Sequence, residues 1–475
     1  MVVYGLGAFV NNLLAGAIGG MSIVLNLGLG MDPAVVGLLG AIPRLVDAII
    51  DPLMGFASDR TVSRWGRRRP YIFGGAIAVG IIYALMWQLP RGQTDAFYFW
   101  FFLAGSILFY VAYTVFAAPW VALGYELTPD YHERTRLMGV QNFIGQLAYL
   151  VAPWFLWFMT NERWFGDQVE GASRVALAVG ALAIVFGVLP AIFLRERVNE
   201  QVRPAGDAEA SASPGRAGNA AVEFFRGFAT TLRSRSFVKL CVATFLVFNG
   251  FILISSFQSY VIIYYVCGGD QAEGARYSGY AGTLGAACSF LVIILVTWLG
   301  TRLGKRHAFF VSTGLSMVGY AIKWVCYTPD APLLVLLPAP LLAFGLGGLF
   351  TLMPSMIADV VDEDELQTHE RREGMYGAIF WFVVKVGMAA ALAGGGLLLG
   401  LTGFDVALGG HQAPATILEM RLLDALVPFV TSGIAIWAVA SYPMTEARAA
   451  EVRKELDGRR RGAPAERLVP EPAEG

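Results

Sequence analysis

Twelve apolar stretches, each about as long as a membrane-spanning helix, constrain this chain more than any other feature. A helix needs about 20 predominantly apolar residues to cross the hydrocarbon core of a bilayer. Of the 475 residues, 56% are hydrophobic and 15% are charged, whereas a soluble domain carries about 25% charged residues. The sequence therefore predicts an all-α integral membrane protein in a lipid bilayer. The predicted spans lie near residues 4–30, 34–58, 70–89, 96–124, 138–159, 174–194, 237–265, 277–300, 308–327, 333–358, 375–402 and 424–442.

A polar segment divides the twelve stretches into two sets of six. Residues 195–236 are rich in Ala, Gly, Ser, Pro and charge, a composition typical of a flexible linker. Two patterns recur at nearly one offset: Arg64-Trp-Gly-Arg-Arg is matched 238 residues later by Arg302-Leu-Gly-Lys-Arg, and His132-Glu-Arg recurs 237 residues later as His369-Glu-Arg. Two pseudo-symmetric six-helix halves are the architecture of major facilitator transporters. The predicted division is 1–194 for the first bundle, 195–236 for a cytoplasmic linker, 237–444 for the second bundle, and 445–475 for a partly disordered cytoplasmic tail.

Basic residues concentrate in alternate loops. The loops after the second and eighth spans are basic, and the intervening loops, such as Met31-Asp32-Pro33, carry few cations. Because basic loops stay on the cytoplasmic side, we expect both termini in the cytoplasm and the protein in the cytoplasmic (inner) membrane. The basic residues of the two loops are Arg60, Arg64, Arg67, Arg68 and Arg69, and Arg302, Lys305 and Arg306.

Charged residues within the predicted spans mark a candidate site. Arg44, Asp47 and Asp51 lie in the second span, and the two aspartates share one helix face at i,i+4 spacing. At 1.5 Å per residue, Asp47, Thr114 and Lys385 lie roughly 16–18 Å from the cytoplasmic ends of their spans. We therefore expect these five residues to converge near mid-membrane, where their charges sum to zero. Ionisable residues at such depth are functional by default, although a purely structural ion-pair cluster is an alternative.

Polar and aromatic residues of several spans are candidates for a substrate cavity. Amides and hydroxyls suit hydroxyl-rich ligands, and aromatic rings suit the apolar faces of sugars. Each residue alone is as consistent with helix packing or with the interfacial aromatic belt. The predicted substrate-binding residues are Asn12, Tyr113, Trp120, Asn142, Gln146, Trp381 and Lys385.

Charged residues at the cytoplasmic ends of the spans are candidates for a gate. Ion pairs between neighbouring spans there would hold the cytoplasmic side closed and break when it opens. The alternative is that these charges only set the topology. The predicted gate residues are Arg64, Arg67, Arg68, Glu126, Asp130, Arg134, Asp359 and Asp362.

These motifs resemble the glycoside–pentoside–hexuronide:cation symporter family of the major facilitator superfamily. The match is strongest in Arg44-x-x-Asp47-Ala-x-x-Asp51-Pro52, in Ser63-Arg64-Trp65-Gly66, in Ala358-Asp359-Val-Val-Asp362 and in Phe382-Val-Val-Lys385-x-Gly387. The resemblance implies that Asp47, Asp51 and Thr114 belong to a cation site, that Lys385 serves cation and sugar, and that Trp381 contacts sugar. Where the sodium-coupled permease of that family has a site asparagine, this chain has Ile50. Its galactoside-binding aspartates correspond here to Asn12 and Ala117, and its span-five arginine to Asn142.

Together these observations predict a cation-coupled symporter that imports a glycoside or related small sugar by alternating access. Protons are favoured over Na⁺, because Asp47, Asp51 and Thr114 supply few oxygens, and because repulsion between the carboxylates favours protonating the dyad. The alternatives are a lysophospholipid or other amphipathic-solute symporter, since that branch of the superfamily also resembles this family, and, more remotely, a membrane enzyme. We expect no cofactor, no metal site, no nucleic-acid partner at a net charge of −1, and a monomer.

Overall fold

The structure is a computed structural model that describes residues 1–61, 63–127, 131–161, 163–196, 231–232, 234–368 and 372–462. Within these ranges it contains α-helices, short 3-10 and π turns and loops, and no β-strand. Twelve of the helices in these ranges are long and apolar enough to cross a membrane. The predicted all-α fold with twelve spanning helices is therefore confirmed.

The spanning helices are numbered α1 to α12, and a thirteenth helix belongs to the C-terminal tail. We call α1–α6 the first half and α7–α12 the second half. The bounds are α1 Val2–Met21, α2 Pro33–Arg60, α3 Arg69–Met86, α4 Asp95–Glu126, α5 Tyr131–Val151, α6 Gln168–Phe193, α7 Arg235–Val261, α8 Gln271–Leu303, α9 Lys305–Cys326, α10 Ala339–Thr368, α11 Glu373–Leu401, α12 Pro414–Ala440 and α13 Glu446–Gly462.

Several helices begin before the apolar stretch that predicted them. Helix α8 begins at Gln271, not near residue 277, because the Asp270 carboxylate caps it by accepting a 2.9 Å hydrogen bond from the Glu273 N–H. Helix α12 begins at Pro414, where proline suits the first helical turn, and not near residue 424. Charged residues in the first part of α12 shortened the apolar stretch from which the span was predicted. In the structure Asp424 therefore lies roughly 15 Å inside the helix and not at its start.

The two halves meet along two helix pairs, α2 with α11 and α5 with α8, while the remaining packing lies largely within each half. Two irregular turns lie at the edges of this interface. Helix α5 continues through a 3-10 turn, Ala152–Trp154, and helix α7 continues through a π turn, Ile262–Val266. Single π turns are rare and often lie at functional sites.

The ends of the helices define two faces. The termini face is the end of the bundle at which α1 begins and α12 ends, and the far face is the opposite end. Near the far face, the Tyr260 hydroxyl of α7 donates a 2.9 Å hydrogen bond to Asn26 of the first half. The Trp154 indole N–H donates to the Thr283 hydroxyl of α8 over 2.8 Å. The structure is therefore closed at the far face.

Candidate functional site

Helix α2 places two carboxylates against one hydroxyl of α4. Asp47 and Asp51 are one turn apart, so they face the same neighbour. The Thr114 hydroxyl lies 2.8 Å from Asp47 Oδ1 and 3.1 Å from Asp51 Oδ1. The hydroxyl has a single proton, so it donates to one carboxylate at a time. Because it lies within hydrogen-bond distance of both, Thr114 can donate to either carboxylate.

Lys385 brings the second half into this site. Its ammonium on α11 lies 2.9 Å from Asp47 Oδ2 and donates a hydrogen bond to Asp51 Oδ2. The structure thus brings Asp47, Asp51, Thr114 and Lys385 together between the halves. Because this contact between the halves is an ion pair, its strength changes whenever the charge of either carboxylate changes.

The two carboxylates differ in exposure. The Asp47 side chain is 1% exposed, and that of Lys385 is 21% exposed. The Asp51 side chain is 43% exposed. Asp51 is therefore the more accessible of the two carboxylates, and Asp47 is the buried one.

Arg44 balances the cluster from a different position. Its guanidinium lies 4.7 Å from the ring centroid of Tyr110, and its Nε has no hydrogen-bond partner among the described residues. Its charge therefore compensates the carboxylates, and the cation–π contact with Tyr110 holds the guanidinium in place.

The predicted substrate residues lie in different surroundings. Tyr113 donates to Asn11 over 2.7 Å, and Asn11 donates to Asn12 over 3.2 Å, so Tyr113 and Asn12 belong to one chain of hydrogen bonds. Trp381 is 54% exposed, lies one turn from Lys385 and stacks on Phe350 of α10. The other two, on α5, are Asn142, which is exposed, and Gln146, which is half-buried.

Trp120 is placed differently from the sequence expectation. It is 2% exposed, and its indole N–H donates over 3.2 Å to the backbone oxygen of Tyr4. Its ring stacks between Tyr4 and Phe116. In this conformation Trp120 belongs to the packing between α1 and α4 and not to a cavity wall.

The acidic gate candidates of α10 contact cations of the second half and of the tail. The Asp359 carboxylate lies 2.6 Å from Lys305 Nζ and 2.5 Å from Arg453 Nη2 of α13. Arg453 Nε also lies 3.7 Å from Asp362. Among the basic candidates, Arg64 is exposed. Asp130 lies outside the described residues, and the side chains of Glu126 and Arg134 are likewise outside the described part.

Glu196 is a structural partner of this face that sequence reasoning missed. Its carboxylate accepts hydrogen bonds from the backbone N–H groups of Arg67, Arg68 and Arg69, at 2.8, 2.8 and 3.0 Å. These groups open the first turn of α3, where a helix favours an anion. Glu196 thus fixes the Arg67–Arg69 loop to the end of α6.

Glycines at the far face were also missed. A Cβ atom at Gly37 would lie 2.6 Å from the backbone oxygen of Leu392 on α11, and one at Gly282 would lie 2.6 Å from Pro153 Cβ of α5. Gly37-x-x-Gly40 in α2 returns as Gly279-x-x-Gly282 in α8, 242 residues later. This repeat was visible in the sequence. Small residues allow such close helix approaches.

Two helical halves with charged side chains meeting between them define a secondary transporter of the major facilitator type. The chain belongs to the MFS/sugar transport protein family, whose model matches residues 4–446. This confirms the resemblance to the glycoside–pentoside–hexuronide:cation symporters. A bacterial homolog of the human lysosomal transporter Spinster, solved in an inward-facing and unoccupied conformation, has the same fold, with a TM-score of 0.66, 16% identity, and coverage of 96% of this chain and 97% of that one.

Two curated relatives cover most of the chain. The isoprimeverose transporter of Lactiplantibacillus pentosus is 25% identical over 87% of this chain and 81% of its own length. The sodium-dependent lysophosphatidylcholine symporter 1 of Gallus gallus is 24% identical over 90% of this chain and 82% of its own length.

Proposed function

We propose that this protein is a proton-coupled symporter that imports a glycoside or related small sugar by alternating access. The observation that carries the proposal is the contact of Lys385 in the second half with Asp47 and Asp51 in the first half. A cation that neutralises a carboxylate weakens this contact between the halves. Cation binding and the rearrangement of the halves are then linked, as coupled transport requires.

Protons fit the carboxylates better than Na⁺ does. Thr114 and Lys385 already occupy oxygens of both aspartates, and Ile50 adds no oxygen next to Asp51. A proton needs one carboxylate oxygen and no coordination shell. The exposed Asp51 offers that oxygen, while Lys385 and Arg44 compensate the negative charge that remains.

The surroundings favour a hydroxylated solute. Exposed Asn142 supplies an amide, and exposed Trp381 supplies a ring face close to Lys385. The name of the isoprimeverose transporter supports a glycoside. The competing combination of solute and ion is a lysolipid with Na⁺, because the lysophosphatidylcholine symporter is named as sodium-dependent.

Uptake into proteoliposomes distinguishes these pairs. Ligand-dependent thermal shift with disaccharides, pentosides, hexuronides and lysophosphatidylcholine first selects the solute, since a ligand of the native state stabilises it. We expect a sugar to be selected, its uptake to follow an imposed pH gradient, and a protonophore to abolish accumulation. Stimulation by Na⁺ at fixed pH without any response to a pH gradient would overturn proton coupling. Selection of lysophosphatidylcholine alone would overturn the sugar.

We also propose that the termini face is cytoplasmic and is held closed, in the opposite state, by Arg64, Arg67 and Arg68 together with Glu126, Asp130, Arg134, Asp359 and Asp362. In the far-closed state Asp359 and Asp362 are held by Arg453 and Lys305. Closing the termini face would exchange some of these partners for arginines of the first half. The ion pairs then change between states, as a gate requires.

Removing two of these charges should favour the far-closed state. In Arg64→Ala/Glu126→Ala, labelling of a Thr283→Cys reporter at the far-face contact should fall by about fivefold, since such couplings are worth about 1–3 kcal/mol. The protein compared with it carries the same Thr283→Cys substitution, so the loss of the hydrogen bond with Trp154 is common to both. The matched control is Arg163→Ala, an exposed arginine in the far-face loop before α6. Labelling that matches the control would contradict the gate and leave these charges a role in topology.

A further inference from the structure

A second buried ion pair lies outside the site between the halves. Lys323 of α9 and Asp424 of α12 face each other within the second half. Their Nζ and Oδ2 atoms are 2.5 Å apart, and their side chains are 1% and 2% exposed. Both residues lie in helices that span the membrane. A buried pair of this kind is often no more stabilising than two apolar side chains of similar volume, so its presence in a span points to function.

The pair retains capacity for a further hydrogen bond. Asp424 Oδ1 is buried and has no hydrogen-bond partner among the described residues. Lys323 Nζ also lies 5.0 Å from the ring centroid of Tyr327. Burial and the charge of Asp424 raise the pKa of Tyr327, so its ring faces the ammonium as a neutral phenol. A small cavity next to the pair is also lined by Trp324.

The remaining charged group at this cavity is Arg421 of α12. Its guanidinium lies 4.0 Å from the ring centroid of Tyr265 in the π turn and 4.4 Å from that of Trp324. It also donates a 2.8 Å hydrogen bond to the Trp324 backbone oxygen. Arg421 therefore fastens the π turn of α7 to α9 and α12.

The π turn connects this cluster to the closure of the far face. Val261 lines the cavity and follows Tyr260, whose hydroxyl bonds Asn26 of the first half. The cavity beside Lys323 and Asp424 is thus lined by Val261, whose neighbour in sequence forms a hydrogen bond between the halves. A change in the packing of α9 against α12 can therefore reach that hydrogen bond.

We propose that the Lys323–Asp424 pair is a second proton-binding site, separate from the Asp47–Asp51 dyad, and that its protonation loosens the far-face closure. A proton delivered by hydronium forms an O–H bond at Asp424 Oδ1 and leaves a water molecule behind. The Lys323 ammonium then loses its buried counter-charge, which is costly in an apolar interior. The attraction between α9 and α12 weakens, and the π turn that they hold is released.

Labelling of the Thr283→Cys reporter tests this without any substrate. The full-length protein in nanodiscs, with its native cysteines replaced by alanine, is titrated from about pH 8 to about pH 5, and rates are normalised to a cysteine at the exposed Gln93. The expected rise is about tenfold, equal to the ratio of proton affinities of the open and closed forms. Because no transport is measured, the result does not depend on the transported solute, and replacing Asp47 and Asp51 by asparagine removes any contribution of the dyad to the rise.

Two double variants locate the response. Asp47→Asn/Asp51→Asn should keep a rise, because the Lys323–Asp424 pair still takes up protons, and adding Lys323→Met/Asp424→Leu to that variant should abolish it. A folded protein that carries both double variants and keeps the rise would overturn the inference and leave the pair a packing role. Hydrogen exchange of residues 260–266 in Asp47→Asn/Asp51→Asn requires no change at the pair. After correction for intrinsic rates it should quicken at low pH, and unchanged protection would also overturn the inference.

Discussion

Replacing Lys385 by alanine should abolish accumulation of substrate while leaving the protein folded in the membrane. The change removes the ammonium from both carboxylates and leaves the buried Asp47 carboxylate without its partner across the interface. Without Lys385 the contact that links cation binding to the rearrangement of the halves is lost, so accumulation should fall by about tenfold or more. Uptake into proteoliposomes under a pH gradient measures the loss, and size-exclusion chromatography measures folding.

The matched control is Lys239→Ala. Lys239 lies near the termini-face end of α7, and its ammonium donates to the backbone oxygen of Ser441, away from the site. This variant should accumulate substrate like the parent. The double variant Lys385→Ala/Asp51→Asn should regain charge balance, because Arg44 then compensates Asp47, but it should not regain accumulation. Parent-like accumulation by Lys385→Ala would show that the charge cluster does not couple transport.

The position of the charge cluster could be predicted because each residue of a helix adds a fixed rise. The number of residues from the end of a span therefore gives the depth of a side chain in the membrane. Asp47, Thr114 and Lys385 lie at nearly equal counts from one face, and the rise per residue places them at one level. The i,i+4 spacing of Asp47 and Asp51 fixed their common face before any packing was known. The fold followed in the same way from the length and number of apolar stretches.

The side chains around the cluster depend on packing that no local pattern encodes. Trp120 precedes Val121 on α4, and the sequence gives no sign that its ring is covered by Tyr4 and Phe116. Asp424 was missed for a different reason. Its charge, with that of Arg421, placed the predicted start of the last span at Asp424 itself, although α12 begins at Pro414. A charged residue inside a span lowers the mean hydropathy by which spans are recognised in a sequence.

Substituting Gly37 by alanine should shift the protein away from the far-closed state. The added Cβ would lie 2.6 Å from the backbone oxygen of Leu392 and 3.1 Å from the Cα of Gly396. Backbone atoms cannot move aside as a flexible side chain can, so α2 and α11 must separate near the far face. Overpacking of this kind costs about 1–3 kcal/mol. Since the cost falls on the closed state alone, the population of far-open protein should rise by about fivefold to a hundredfold.

The Thr283→Cys reporter measures this shift as faster labelling, and uptake should fall because the protein returns to the far-closed state less often. Gly282→Ala, which meets Pro153 of α5 at the symmetry-related crossing, should act in the same direction. Gly74→Ala is the matched control, since a Cβ at Gly74 of α3 would have no neighbour within 4 Å. Labelling in Gly37→Ala as slow as in Gly74→Ala would mean that the two helices absorb the methyl group without opening. The close approach of α2 and α11 would then not be what holds the far face closed.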